Sequence, residues 1–288
     1  MAIDLHIHSN CSDGTVPPGE LPGMAHSAGL KAVALTDHDT TQGVEDFLAQ
    51  QAKFPDMELI AGVELSSRIG AKELHIVGLF IDPANSQLQD FLHSMRQERL
   101  LRAAAMQQKL AALGYVVTAE DLAAAGMQED VPGRPHFARV LVKKYNFPDV
   151  KTVFDMLLKN GGAGYVPRNL PPPEEAIRIV KAAGGTAVWA HPFHSKRNEN
   201  NFIARTIRQL KPFGLDAIEA YYTEYTQTKT NTALRMAKEY GLACSGGSDF
   251  HGEVHPQTHL GIGKGNLLVP DEILPLLRKA TLPKVVLV

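Results

Sequence analysis

The 288-residue sequence has little cysteine, little tryptophan and almost no excess of charge. Its two cysteines, Cys11 and Cys244, are too few for a disulfide-stabilised fold. A net charge of −2 excludes a global basic field of the kind that holds long duplex nucleic acid. No apolar run approaches the ~20 residues that a membrane helix needs, and the first residues carry no export signal. These absences predict a cytoplasmic protein that does not bind membranes.

Seven short apolar runs recur along the chain, and helical patterns follow most of them. The runs are 3–7, 32–35, 58–63, 74–80, 186–190, 216–220 and 242–245. Their length and near-continuous hydrophobicity are typical of parallel strands that are buried on both faces. The alternation predicts an α/β fold, and seven candidate strands favour a distorted (β/α) barrel with one unit fewer than usual.

The middle of the chain has helical patterns without a strand of comparable strength. A capping-box start at Ser86 and Gln89 opens a helical pattern that runs to Leu113. Further helical segments follow at 119–125, 134–145 and 150–159. We therefore predict that residues 1–99 and 166–288 form the barrel. Residues 100–165 are predicted to form an inserted helical subdomain that caps the substrate.

Histidine is the unusual residue, with 12 in all. His6 and His8 are two residues apart on the first predicted strand, so both point to the same side and can bind one ion. The alternative is a pair of polar residues on a half-exposed strand. Asp13 follows the same first strand. Further side chains of ligand type lie on or just after later candidate strands: His38, Glu64, His75, His191, Asp249 and His251. Because catalytic groups lie at the carboxyl ends of barrel strands, we expect one polynuclear metal site.

These six histidines and three carboxylates exceed what one tetrahedral ion binds, so two or three ions with a bridging carboxylate are expected. Imidazole and carboxylate ligands without thiolates suit Mn²⁺, Zn²⁺ or Fe²⁺ better than Mg²⁺ or Ca²⁺ alone. Such clusters clamp phosphoryl oxygens and lower the pKa of bound water towards ~7. The expected nucleophile is therefore a hydroxide ion held between metal ions, and the expected general acid is His194.

The arrangement of these motifs resembles the polymerase-and-histidinol-phosphatase (PHP) phosphoesterase family. The matching residues are His6-Ile7-His8-Ser9, Thr36-Asp37-His38-Asp39, Glu64, His75, His191-Pro192 and Ser248-Asp249-Phe250-His251. The resemblance implies a distorted seven-stranded (β/α) barrel with three metal ions, Mn²⁺ first among the candidates. The implied ligands are His6, His8, Glu64 and Asp249 for the first ion, Glu64, His75 and His191 for the second, and Asp13, His38 and His251 for the third.

Within that family, the helical insertion with Gly133-Arg134-Pro135-His136 is similar to bacterial nucleoside 3′,5′-bisphosphate phosphatases. This resemblance implies removal of the 3′-phosphate, which leaves a nucleoside 5′-monophosphate. It also implies trimming of short RNA oligonucleotides from the 5′ end. The expected partners are therefore small phosphorylated nucleotides and short RNA.

Further residues are expected to contact the substrate. Arg134 opens a predicted helix, where a guanidinium fork beside backbone N–H groups suits a phosphate. Pro135 and His136 follow it, with loop orientation as the alternative for His136. His194, on the loop after His191, is also expected to contact the substrate. For both Arg134 and His194 the alternative is a solvated surface residue. Flanking Asp13 are Ser12, Gly14 and Thr15, which offer hydroxyl or N–H groups or simply form a turn.

The roles of two aspartates and three rival functions stay open. Asp37 and Asp39 are expected to orient imidazoles, with helix capping as the alternative for Asp39. The nearest rival is a phosphatase acting on histidinol phosphate or another small phosphomonoester. An amidohydrolase-type deaminase also begins with His-x-His, but it relies on a carboxylated strand lysine, whereas Glu64 takes that position here. The third rival is a non-catalytic metal-binding module.

Overall fold

A computed structural model describes residues 2–125, 132–194 and 199–280. Within these ranges the chain divides into two compact units. The first comprises Met1–Phe91 and Pro171–Val288, and the second comprises Leu92–Leu170, a wider range than the predicted insertion of 100–165. Among the described residues, no helix combines the length and the apolar character needed to cross a membrane.

A curled sheet of seven strands forms the centre of the first unit. In chain order and in spatial order these are β1 (Asp4–Ile7), β2 (Ala32–Leu35), β3 (Glu58–Ile69), β4 (Lys72–Leu79), β5 (Thr186–Trp189), β6 (Leu215–Tyr222) and β7 (Ala243–Gly247). Past the end of β7, Asp249 N–H donates to the His6 carbonyl and His8 N–H donates to the Phe250 carbonyl, each at 2.9 Å. The predicted seven-stranded α/β architecture is confirmed as a curled half-barrel.

One strand departs from the predicted parallel arrangement, because β4 runs antiparallel to both β3 and β5. The third strand does not end at Val63 but continues to Ile69, and only Gly70 and Ala71 separate it from β4. A connection this short makes a hairpin and is too short for a parallel crossover. The reversal pairs His75 with Ser66 across the hairpin. A residue early in β4 therefore reaches the edge where the neighbouring strands end.

Ten α-helices are described. They are α1 (Leu21–Ser27), α2 (Val44–Leu48), α3 (Ser86–Ala112), α4 (Ala119–Ala124), α5 (Arg134–Tyr145), α6 (Val150–Val153), α7 (Pro173–Ala182), α8 (Asn200–Leu210), α9 (Gln227–Tyr240) and α10 (Leu274–Ala280). Thr118 caps α4 through a capping box with Asp121, and Pro135 occupies the first turn of α5, where its missing N–H costs nothing. In the second unit the apolar core includes the buried side chains of Leu110, Phe137 and Leu158.

Candidate metal centre

The His-x-His motif presents two buried imidazoles on one face of β1. Leu5 and Ile7 alternate with them and join the apolar core, as the period of a strand requires. His6 is 1% exposed and His8 is 0% exposed. The Nε2 atoms of these two rings lie 3.2 and 3.3 Å from the same oxygen, Oε2 of Glu64. The strand thus aims two imidazoles at one carboxylate.

Glu64 lies at the centre of the cluster. Its side chain is fully buried within β3, and its two oxygens face different rings. Oε2 lies 3.0 Å from His38 Nδ1, while Oε1 lies 2.9 Å from His75 Nδ1 and 3.0 Å from His191 Nε2. One carboxylate therefore contacts imidazoles from β1, β4 and the segments that follow β2 and β5, which is the position of a bridging ligand.

Two further carboxylates complete the cluster. Asp249 Oδ1 lies 3.5 Å from His6 Nε2 and 3.2 Å from His8 Nε2. On the other side, Asp13 Oδ1 lies 3.2 Å from His251 Nε2, and Asp13 Oδ2 lies 3.8 Å from His38 Nε2. The structure thus gathers all nine predicted ligand side chains at one edge of the sheet. Their ligation of metal stays a prediction.

The donor atoms of this cluster fit divalent metal ions. Several buried ligand atoms have no hydrogen-bond partner among the described residues: His6 Nε2, both ring nitrogens of His8, His38 Nδ1 and Glu64 Oε2. Leaving such a group unsatisfied costs about 1–3 kcal/mol, so their convergence indicates a bound species. Three sets have ligand atoms within 4.8 Å of one another, namely His8/Asp13/His38/His251, His6/His8/Glu64 and His38/Glu64/His75.

The electrostatics of the cluster keep its carboxylate ionised. Burial by itself raises the pKa of the Glu64 carboxyl, but the surrounding imidazoles, His38 first, hold it well below its ordinary value. Burial lowers the pKa of His38, yet Glu64 and Asp13 together raise it to about 10. Burial and two neighbouring imidazoles lower the pKa of His8 to about 4. Glu64 is thus a carboxylate and His8 a neutral imidazole, which are the forms that bind metal, whereas His38 must release a proton to ligate an ion.

Comparison with known protein families gives a match to this chain: residues 4–161 match the PHP domain family. This chain belongs to the PHP domain family. The resemblance inferred from the sequence motifs is confirmed. Two relatives extend the similarity to most of the chain. A 3′,5′-nucleoside bisphosphate phosphatase from Chromobacterium violaceum is 36% identical over 86% of this chain and 87% of the relative. A 5′-3′ exoribonuclease from Haemophilus influenzae is 34% identical over 96% of this chain and 98% of the relative.

Solved structures show the same PHP-like architecture. An amidohydrolase from Chromobacterium violaceum, with bound sulfate and no metal, superposes with a TM-score of 0.81 at 33% identity over 97% of each chain. A protein from Bifidobacterium adolescentis described as a metal-dependent phosphoesterase gives a TM-score of 0.80 at 26% identity, over 98% of this chain and 97% of that chain.

Left-handed backbone conformations follow three strands of this PHP domain. Asp39 has a φ of 53°, His191 of 33° and Asp249 of 55°, although none is glycine. Such conformations are strained for residues with a Cβ and persist only where the surroundings enforce them. They turn the chain sharply at the edge of the sheet where the ligand side chains meet.

The two aspartates expected to orient imidazoles have other partners. Asp37 accepts hydrogen bonds from Ser9 N–H at 2.8 Å, Ser9 Oγ at 2.5 Å and Ser12 Oγ at 2.6 Å, so it holds the loop after β1. Asp39 accepts from the N–H and Oγ of Ser66 at 2.8 and 2.9 Å, which ties the end of β2 to β3. It does not cap α2, whose first turn lies further along the chain.

The loop residues around Asp13 use their polar groups within the protein. Gly14 N–H donates to the Ser9 carbonyl at 2.9 Å, and Thr15 Oγ accepts from Glu253 N–H at 3.0 Å. A Cβ at Gly14 would lie 2.7 Å from the His8 carbonyl oxygen, so only glycine fits this turn. Contact of Ser12, Gly14 and Thr15 with substrate stays a prediction.

The Gly-Arg-Pro-His motif lies in the second unit at the start of α5. Arg134 Nη1 donates to the Leu158 carbonyl at 3.4 Å, and its guanidinium lies 5.7 Å from the ring centroid of Tyr165. His136 Nδ1 accepts from Gly133 N–H at 2.9 Å and thereby caps the helix. This is the orienting role given as the alternative for His136. The predicted binding of phosphate by Arg134, Pro135 and His136 stays a prediction.

Two residues of β6 contact the cluster in ways that the sequence did not reveal. Glu219 Oε1 lies 3.1 Å from His6 Nδ1, and Tyr222 donates its hydroxyl hydrogen to Asp249 Oδ2 at 2.9 Å. From the sequence alone, Glu219 and Tyr221 are expected to line the pocket, because they come at the end of the sixth candidate strand. On a regular strand, residues two apart would share a face. The pairing register with β7 shifts between Glu219 and Tyr221, and such an irregularity re-aims the following side chains. Tyr221 packs instead against an apolar cluster.

The ligand side chains open into a cavity of about 660 Å³, a volume typical of small-molecule sites. Its lining also includes His194, Glu224 and Lys264. His194 Nδ1 lies 3.1 Å from Glu224 Oε2, and Lys264 Nζ lies 2.7 Å from Glu224 Oε1. Burial lowers the pKa of His194, and the Glu224 carboxylate opposes this shift. The cavity thus joins the cluster to a polar rim.

Proposed function

We propose that this chain is a metal-dependent phosphatase that hydrolyses nucleoside 3′,5′-bisphosphates to nucleoside 5′-monophosphate and phosphate, and that trims short RNA from the 5′ end. The observation that carries the proposal is the buried cluster centred on Glu64, with unpartnered ligand atoms beside an open cavity. The names of the two relatives supply the substrate class.

Three divalent ions, Mn²⁺ first with Zn²⁺ and Fe²⁺ as alternatives, are the proposed cofactors. When bound, such ions neutralise phosphoryl oxygens and activate water for attack on phosphorus. Glu64 would join the first two ions, since its two oxygens face different sets of rings. The proposed ligands are His6, His8, Glu64 and Asp249 for the first ion, Glu64, His75 and His191 for the second, and Asp13, His38 and His251 for the third.

His194 is the proposed proton donor to the leaving 3′-oxygen. It lines the same cavity as the proposed ligands, and its ring centroid lies 6.2 Å from that of His191. The Glu224 carboxylate beside its Nδ1 favours the imidazolium form that a donor requires and partly offsets the burial that lowers the pKa of His194. A proton given to the alcohol oxygen as the P–O bond breaks avoids release of an alkoxide.

The deciding experiment measures phosphate release by the Mn²⁺-loaded protein from a matched panel. The panel contains adenosine 3′,5′-bisphosphate, the 2′,5′-bisphosphate, adenosine 5′-monophosphate, histidinol phosphate and a short 5′-phosphorylated RNA. We expect the highest kcat/KM for the 3′,5′-bisphosphate and no phosphate release from the 5′-monophosphate. The RNA should yield 5′-mononucleotides. Glu64→Gln is the negative control, because it removes the charge at the centre of the cluster.

Other outcomes would select a rival. Preference for histidinol phosphate would assign a small-phosphomonoester phosphatase. Ammonia release from adenosine without phosphate release would assign a deaminase. Metal uptake without turnover of any compound would assign a non-catalytic module.

A further inference from the structure

Glu219 is a buried carboxylate on β6, the strand that supplies none of the nine proposed ligands. Its side chain is 2% exposed. Oε1 lies 3.1 Å from His6 Nδ1, and Oε2 accepts the backbone N–H of His191 at 2.8 Å. One carboxylate therefore links two proposed ligands that belong to opposite sides of β6 in the sheet.

We propose that Glu219 is a positioning residue that holds the proton of His6 on Nδ1 and fixes the backbone at His191. With the proton on Nδ1, the lone pair of His6 Nε2 faces Glu64 and Asp249, where an ion would lie. The second oxygen stabilises His191 in its left-handed conformation, with φ of 33°. Partners of this kind orient a ligand ring and raise its basicity, and their loss typically weakens metal binding 10–100-fold.

The Glu219→Gln substitution makes the two contacts incompatible with almost no change of shape. An amide has one acceptor oxygen and one NH₂ donor, whereas both contacts of Glu219 require acceptors. If the amide oxygen faces His6, its NH₂ group faces the N–H of His191, and two donors oppose each other. In the reverse orientation the NH₂ group donates to His6 Nδ1, which leaves the proton on Nε2 and blocks the ligand position. The reverse orientation is favoured, because the backbone N–H of His191 is a fixed donor whereas the proton of His6 can move to Nε2.

The test measures Mn²⁺ binding and the imidazole signals of His6. We expect Glu219→Gln to bind Mn²⁺ 10–100-fold more weakly in equilibrium dialysis with elemental analysis. In ¹⁵N NMR of the protein loaded with diamagnetic Zn²⁺, the wild type should show a His6 Nδ1–H protected from solvent exchange. The Gln variant should lose that signal. Glu219→Asp keeps two acceptor oxygens and should recover part of both properties.

Asp216→Asn is the matched control, since Asp216 lies on the same strand and its side chain is 6% exposed. Its carboxylate contacts Lys181 Nζ at 2.7 Å and Ala187 N–H at 3.0 Å, away from the cluster. This variant should lose stability while keeping its Mn²⁺ affinity and the His6 signal. The proposal is overturned if Glu219→Gln retains both, or if Asp216→Asn and Glu219→Asp lose them to the same degree as Glu219→Gln. No substrate is involved, so this outcome is independent of the phosphatase assignment.

Discussion

Both units bury an apolar core, but the first unit also buries a cluster of polar side chains. In the first unit, His6, His8 and Glu64 are buried at the strand ends with ring nitrogens and an oxygen that lack hydrogen-bond partners among the described residues. In the second unit, Phe137 and Leu158 are fully buried within an apolar cluster. The polar cluster of the first unit needs a ligand to satisfy these atoms, whereas the apolar side chains of both units are satisfied by packing.

This difference has an energetic consequence. Each unsatisfied buried polar atom costs about 1–3 kcal/mol, so the strand ends are a local defect until a ligand occupies them. Apolar side chains need no such partner, because their burial is favourable in itself. The stability of the first unit should therefore depend on metal, and the stability of the second should not.

Removal of metal should have the largest of the predicted effects, and it should destabilise the first unit more than the second. One ion at 100 times its dissociation constant stabilises the folded state by about 2.7 kcal/mol, and several ions contribute more. Chelation of the Mn²⁺-loaded protein should therefore lower the thermal midpoint and speed amide hydrogen exchange in β1 and β3. Exchange in α5 should change little. Equal acceleration in both units would contradict the separation, and restored Mn²⁺ should reverse the effect.

The second unit can be tested for a contribution to binding through Arg134. If its guanidinium binds the phosphate that is not cleaved, Arg134→Ala loses a charge-assisted hydrogen bond of about 1.5–3 kcal/mol. KM for the 3′,5′-bisphosphate should then rise roughly tenfold or more, while KM for a single-phosphate ester changes little. Arg139→Ala on the same helix is the control, because Arg139 donates to the Ala125 carbonyl. Equal losses on both substrates would count against this role.

The sequence predicted the strands, and which His and carboxylate side chains meet at one edge of the sheet, better than it predicted the direction of the strands. Runs of apolar residues identify a strand but carry no information on its direction, so the reversal of β4 was missed. The deciding signal was the length of the connection, which was hidden because β3 was expected to end at Val63 and instead reaches Ile69. The His and carboxylate positions were easier, because each follows or lies on a strand in a recognisable motif.

The supporting contacts were harder to predict because they join distant parts of the chain. Glu219 and His6 are 213 residues apart, and no local pattern relates them. The loop aspartate Asp37 was expected to hold an imidazole, yet it accepts three hydrogen bonds from Ser9 and Ser12. Short motifs identified the side chains that come together at one edge of the sheet, whereas the fold decides what holds those side chains in place.

The smallest predicted effect tests the register shift in β6. Tyr222→Phe removes the hydroxyl that donates to Asp249 Oδ2 and leaves the ring in place. A single hydrogen bond contributes about 0.5–1.5 kcal/mol, so kcat/KM should fall by no more than about tenfold. Tyr221→Phe is the matched control on the adjacent residue, which packs against the apolar core and should retain full activity. A regular strand would instead direct Tyr221 to the face of Glu219, so a loss confined to Tyr221→Phe would refute the shifted register and the contact with Asp249.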